Sequence, residues 1–301
     1  MTLLQKLKYY SNWNIGFCEQ TPEELIRDKR LKPVKWLKHS YKDRWFADPF
    51  IYKVTEGEII VFVEECPMEN PKGIICELVI ERKTMRLKNR YVLLEKDTHL
   101  SYPAIIRHEG KIYVYPENGA SGKQNIYEYD DKNHKLINPK CILDEAVADA
   151  TIIMHDGGYF MTATKFPDTQ KNLYLYHSES LSCPFKQIKE EPIQKDFSCS
   201  RNGGNYFIAY NNLYRPAQNC SVRYGGALTI MLSKLYQSQE KEVIDLEIRP
   251  QSWRYSLGIH TINFQDQMCV VDGYGYIYPS ISRALYFMKS IIQNTKNVFN
   301  L

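Results

Sequence analysis

The chain has 301 residues, with 39 Lys+Arg against 35 Asp+Glu and a formal net charge of +4. Its 44% hydrophobic and 25% charged residues match a globular composition, which excludes a disordered or fibrous chain. The basic excess is too small and too scattered for a nucleic-acid footprint, so no nucleic-acid partner is expected. The outlying count is aromatic: 23 Tyr and 12 Phe exceed what a core alone requires.

At the N-terminus, Lys6 and Lys8 interrupt the apolar residues, so no secretory h-region is read there. No window of about 18 apolar residues occurs that would cross a membrane. The eight cysteines (18, 66, 76, 141, 183, 199, 220, 269) are scattered singly, without metal-ligand spacing. Free thiols in a reducing cytoplasm, with no metal and no cofactor, are therefore expected. Thr21-Pro22-Glu23-Glu24 predicts a short helix, with Thr as N-cap, Pro at its first position and acids facing the dipole.

Five segments then share one form, a strand, a tight turn and a second strand. They begin at Ala47, Ser101, Ala148, Gly203 and Gly258. The predicted turns are Glu56-Gly57, Glu109-Gly110, Asp156-Gly157, Asn211-Asn212 and Gln265-Asp266, residues that tolerate positive φ. Equivalent positions Asp48, Tyr102, Asp149, Gly204 and Ile259 are separated by 54, 47, 55 and 55 residues. Strand-like runs at 73–80, 124–129, 172–178 and 226–232 complete four-stranded units. A period near 50 residues built from β-branched and aromatic strands predicts an all-β fold, a five-bladed β-propeller. An open β-sandwich with similar turn spacing is the competing architecture. The expected organisation is a cap segment over 1–40, the propeller over 41–278 and an amphipathic helix over 279–301 packed on the propeller. That helix could also meet a membrane or a partner.

In a propeller the starts of the innermost strands line a central funnel. The sequence offers Asp48, Tyr102, Asp149, Arg201 and His260 there, with Glu64 or Glu65, Glu117, Arg215, Gln218 and Asp272 from the second strands. Carboxylates, arginines, amides and rings around a polar pit suit a sugar, whose hydroxyls need acceptors and whose faces stack on rings. Asp48 and Asp149, from non-adjacent units, are the candidate pair for glycosyl chemistry, with Glu117 beside them. Glu65, His99, Tyr102, Arg201, Arg215, Gln218, Tyr224 and His260 are the candidate binding residues. Each has a structural alternative. The acids could cap turns, the arginines could pair with carboxylates, and the histidines could be hydrogen-bonded structural groups. Phosphate-loop, dinucleotide, zincin and nucleophile-elbow motifs do not occur.

The runs Trp45–Phe50 (WFADPF), 62–65 (FVEE), 99–103 (HLSYP), 115–118 (YPEN), 148–150 (ADA), 213–220 (LYRPAQNC) and 258–261 (GIHT) come in a characteristic order. Over roughly residues 40–275 the chain resembles the N-terminal propeller of plant glucosamine inositolphosphorylceramide transferases and bacterial relatives linked to surface-polysaccharide biosynthesis. In the plant proteins a separate transferase domain follows, and none is expected within these residues. The blade pattern is more distantly similar to five-bladed arabinanases and β-xylosidases. That similarity implies a general base at Asp48 and an orienting acid at Asp149. The general acid of those enzymes opens the fourth blade, where this chain has Gly203-Gly204, so Glu117 or Glu65 would have to replace it. Alternatively, an activated sugar-phosphate donor would need no acid. Two functions follow as expectations. One is a carbohydrate-active enzyme transferring or cleaving a glycosyl unit. The other is a non-catalytic glycan-binding propeller that presents substrate to a partner glycosyltransferase.

Overall fold

The computed structural model describes residues 11–233, 235, 242–285 and 287–288. Strand β1 (Ser11–Cys18) is followed by helix α1 (Pro22–Asp28) and strand β2 (Lys35–Trp36). Blade one holds β3 (Arg44–Val54), β4 (Glu58–Pro67), β5 (Ile74–Glu81) and β6 (Arg86–Leu94). Blade two holds β7 (Ser101–His108), β8 (Lys111–Glu117), β9 (Gln124–Asp130) and β10 (Lys135–Leu143). In blade three, β11 (Val147–His155), β12 (Gly158–Lys165) and β13 (Asn172–Ser178) are edged by β14 (Lys186–Gln187) and β15 (Gln194–Lys195). Blade four holds β16 (Phe207–Ala209), β17 (Asn212–Asn219), β18 (Ala227–Leu232) and β19 (Val243–Ile248). Then β20 (Ile262–Gln265) and β21 (Met268–Tyr276) begin blade five. The five-bladed propeller expected from the repeat is the fold.

Blade five is completed from the other end of the chain. β1 pairs antiparallel with β21 along its whole length, from Ser11↔Tyr276 to Cys18↔Cys269, and β2 pairs with β1. Within the expected cap, residues 11–18 and 35–36 are therefore half of the last blade, and residues 1–10 lie outside the described residues. Pairing β1 with β21 closes the ring and satisfies the outer edge of β21.

The turn chemistry explains the hairpins. Both central residues are left-handed at Glu109-Gly110 (φ 49 and 73°), Asp156-Gly157 (47 and 78°), Tyr210-Asn211 (50 and 60°) and Asp266-Gln267 (49 and 63°). Two of these turns sit one residue away from their predicted places, because the strand register and not the best turn residue fixes the corner. Helix α1 carries the expected capping box: Thr21 Oγ1 accepts the Glu24 N–H and the Glu24 carboxylate accepts the Thr21 N–H. At the C-terminal side residues 279–285 are helical, and Arg283 ties them to Trp253 O and Ser256 Oγ. Positions 289–301 lie outside the described residues. All eight cysteines are free thiols. No helix among the described residues is long and apolar enough to cross a membrane.

The core lies between blades, and it accounts for the tyrosines. Phe50, Phe62, Tyr102, Tyr115, Tyr129 and Tyr159 belong to one apolar cluster joining blades one, two and three. Each tyrosine ring is buried against a neighbouring sheet while its hydroxyl finds a partner across the gap. Tyr115 Oη accepts the Ile152 N–H (3.0 Å), Tyr159 Oη meets His108 Nδ1 (2.9 Å) and Tyr129 donates to Glu77. Tyrosine here supplies hydrophobic area and a hydrogen bond between blades in one side chain.

Candidate functional site

The site begins with a backbone irregularity repeated in three blades. The register skips between Ala47 and Phe50, between Ser101 and Ala104, and between Ala148 and Thr151. Each skip is a bulge with one extra residue on the innermost strand, and in each the first bulged residue is left-handed. These are Asp48 (φ 49°), Tyr102 (46°) and Asp149 (46°). A left-handed residue other than glycine costs about 1–2 kcal/mol, and such outliers persist where the surroundings hold them. In the fourth blade Gly204 takes φ 140°, and a Cβ there would lie 2.0 Å from Ile262 O. No side chain fits at that position without a clash with backbone, so the glycine pair opening the fourth blade presents no acid there.

The bulges free backbone N–H groups, and carboxylates of the neighbouring blade accept them. Asp272 Oδ2 takes the Asp48 N–H (3.2 Å), Asp48 Oδ2 takes the Tyr102 N–H (3.1 Å), and Glu117 Oε2 takes the Asp149 N–H (3.1 Å). One blade's acid thus caps the next blade's bulge, around the ring from blade five to blade three. Asp272, Asp48 and Glu117 therefore hold the inner strands together as well as presenting charge.

Two charged groups result. In the first, His260 Nδ1 lies 2.5 Å from Asp272 Oδ2 and its Nε2 lies 3.8 Å from Asp48 Oδ1. Thr261 Oγ1 donates to Asp48 Oδ1 (2.8 Å), and the His260 and Thr261 N–H groups donate to Asp272 Oδ1. Burial opposes charging His260, but Asp272 and then Asp48 outweigh it and raise its pKa to about 9. Burial raises Asp48 to about 7, with His260 pulling the other way. Among the described residues, Asp48, His260 and Asp272 are also the group whose donor atoms lie close enough, within 4.8 Å, for a metal ion. Both imidazole nitrogens face carboxylates, which is the contact set of an imidazolium rather than of a ligand offering a lone pair.

In the second group, Arg201 Nε lies 2.5 Å from Asp149 Oδ2 and its Nη2 lies 3.5 Å from Glu117 Oε2. Gln218 Nε2 donates to the same Asp149 oxygen (2.7 Å), and Asn202 Nδ2 donates to Asp149 O (2.9 Å). Glu117 is pushed well above the ordinary carboxylate range, by burial first and then by the charge of Asp149, against the pull of Arg201. Asn118 Oδ1 and Gln218 Oε1 are buried without a hydrogen-bond partner among the described residues. Both are acceptors, so the site is short of donors.

Rings frame the opening. Trp13 stacks on His260 at 4.0 Å and 15°, Tyr224 meets His260 edge-on at 5.5 Å, and Arg201 lies over the Tyr224 ring at 5.2 Å. Tyr224 is 45% exposed, at the mouth. His99, also partly exposed, pairs with Glu64 at 3.2 Å and accepts the Gly73 N–H, which fixes the rim. The Glu64 partner raises the His99 pKa.

The structure gathers Asp48, Asp149, Glu117, Arg201, Gln218, Tyr224 and His260, with His99 at the edge. Three expected binding residues lie elsewhere. Glu65 is buried in blade one between Arg44 and Arg90, and its neighbour Glu64 faces the site instead. Arg215 is fully buried, held by Glu242, Asn202 Oδ1 (3.1 Å) and Cys199 O (2.8 Å), and has no nitrogen free for a ligand anion to approach. Tyr102 is fully buried against Phe50, and its hydroxyl accepts the Gly204 N–H (2.8 Å). It is a strut joining blades two and four. Trp13 escaped the sequence reading because its strand had been set aside as a cap.

The rice (Oryza sativa subsp. japonica) protein "Glucosamine inositolphosphorylceramide transferase 1" is 28% identical over 210 residues, 67% of this chain. Its Arabidopsis thaliana counterpart is likewise 28% identical, over 68% of this chain. The chain spans 28% of the length of the rice relative and 27% of the Arabidopsis one. Among solved structures, Zg3597, a family 117 glycoside hydrolase from Zobellia galactanivorans, superposes with TM-score 0.54. It is 11% identical and the match covers 88% of this chain and 90% of that one. The catalytic domain of a GH62 α-L-arabinofuranosidase from Coprinopsis cinerea gives 0.52 at 11% identity, over 75% and 78%. At these identities the two structures speak for the propeller fold alone. The family described as "Glucosamine inositolphosphorylceramide transferase 1, N-terminal" matches residues 33–259, and the chain belongs to it.

Proposed function

We propose that this chain is a carbohydrate-active propeller that transfers or cleaves a glycosyl unit in glycoconjugate or surface-polysaccharide assembly. The observation that carries the reading is the convergence of Asp48, Glu117, Asp149 and Arg201 in one buried cluster, with two of the acids raised above the ordinary carboxylate range. The names of the relatives and the ring-lined mouth support a sugar as ligand. In this reading Glu117, whose pKa burial and Asp149 raise, is the acid that gives a proton to the leaving oxygen, in place of an acid opening the fourth blade. Asp48, near neutrality, accepts the proton of the attacking hydroxyl. Arg201 and Asp149 fix the sugar, and Arg201 balances charge on the departing group. The buried acceptors of Asn118 and Gln218 take sugar hydroxyl donors.

A second reading, glycan binding for a partner transferase, is favoured by the engagement of both Asp48 oxygens and of Asp149 Oδ2 within the protein. A panel of nucleotide sugars and aryl glycosides, assayed with wild type and Glu117→Gln, separates the two. The enzymatic reading expects Glu117→Gln to lose about 10²–10⁴-fold on poor leaving groups and far less on activated ones. Equal losses on both would remove the acid role. Binding without turnover of any donor would support the second reading.

A further inference from the structure

A groove of about 480 Å³ on the outer rim, between blades five and one, carries the opposite charge to the pit. One wall is formed by residues 38–41, which follow β2, and the other by the edge strand β6. Along β6 the ladder shifts by one residue at Lys88, between Leu87↔Ile80 and Asn89↔Val79, so Arg86 and Arg90 leave the strand on opposite faces with the bulged Lys88 between them. Lys38 sits beside Arg86 through a backbone bridge: its N–H donates to Met85 O (2.7 Å) and its carbonyl accepts the Leu87 N–H (3.0 Å).

Two of these cations have carboxylates of their own. Lys88 pairs with Glu58 at 2.5 Å, and Arg90 shares Glu65 with Arg44. Lys38 and Arg86 are exposed, and no ion pair forms on either among the described residues. The backbone therefore holds two like charges together at a cost in stability. His39, next to Lys38 in the same wall, keeps Nδ1 buried without a partner. Cations on an edge strand also discourage edge-to-edge pairing, which explains Lys88 but neither the concave wall nor Lys38 and His39.

We infer that this groove binds a tetrahedral oxyanion, the phosphate or sulfate group of an ester, between Lys38 and Arg86. The guanidinium offers a two-pronged contact and the ammonium a point charge, and a groove of this size leaves room for the rest of the ester. The inference is independent of the glycosyl reading of the pit.

The test is thermal melting of the full chain in sodium phosphate and in sodium chloride at matched ionic strength. It uses wild type and the Lys38→Gln/Arg86→Gln double variant. Phosphate stabilises proteins in general, so the comparison rests on the variant. Wild type should gain several degrees in phosphate over chloride. The variant should melt higher than wild type in chloride, because the repulsion is gone, and should lose most of the phosphate gain. Its phosphate affinity by titration should be at least about tenfold weaker, a loss of about 1.4 kcal/mol. Sedimentation with phosphatidylglycerol vesicles, against phosphatidylcholine alone, locates the source. Wild-type binding lost in the variant places the anion on a lipid headgroup, and a phosphate effect without vesicle binding places it on a soluble ester. The same phosphate gain in both proteins, with no vesicle binding by either, would overturn the inference.

Discussion

Replacing Asp48 by asparagine is expected to lower glycosyl turnover on the order of 10³-fold while leaving the fold and the substrate affinity nearly intact. The asymmetry follows from the contacts. An asparagine carbonyl can keep the Tyr102 N–H, and its amide can donate to Thr261 Oγ1, whose hydroxyl reverses at little cost. What disappears is the acceptor for a proton and the smaller of the two acid charges that face His260. In steady-state kinetics the loss should therefore fall on kcat rather than KM. Turnover within about threefold of wild type would end the assignment of Asp48 as base.

His260 should make the protein less stable as pH rises. Its folded pKa, about 9, lies above the ordinary 6.5, so the folded state holds its proton more tightly than the unfolded chain does. The resulting stabilisation is fully present below about pH 6.5 and is lost as pH climbs through 9. Its ceiling is about 3 kcal/mol, since each pKa unit is worth about 1.4 kcal/mol. Asp48, raised to about 7, adds a loss of the same sign at lower pH, between its ordinary 3.8 and 7. In urea melts from pH 6 to 9.5, His260→Gln should be less stable than wild type at the acid end, and the two should converge at the alkaline end. A constant gap across the range would show that the Asp272–His260–Asp48 contacts do not hold a charged imidazole.

The repeat was legible because each blade is a local object. Hairpins such as Ser101 to Glu117 are written in contiguous residues, and their turns need side chains that tolerate positive φ. The closure of blade five was not legible, because Ser11 and Tyr276 meet only when the ring is complete and neither segment signals the other. That one omission concealed Trp13. The choice between Glu64 and Glu65 turned on strand register, since a shift of one residue exchanges the two faces of β4. Val63 and Glu65 share the face toward blade five, while Phe62 and Glu64 face blade two. Arg215 had the right residue type on the right strand, but its partner Glu242 comes from a later connection that spacing could not reveal. Asp48 and Asp149 were found by their place in the repeat. Both have a bulged N–H capped by the preceding blade, and Asp48 caps the next bulge in turn, a duty that depends on backbone angles no sequence pattern displays.

The most direct test of the central claim is saturation-transfer NMR with a panel of neutral, amino and phosphorylated monosaccharides, recorded on wild type, Tyr224→Ala and Arg201→Gln. If the pit between Asp48 and Asp149 is where this propeller meets its sugar, at least one monosaccharide receives saturation from wild type, and both substitutions, one at the exposed ring and one in the buried charge group, abolish or strongly weaken the signal. Transfer that persists undiminished in both variants would place the sugar elsewhere on the molecule and contradict the account.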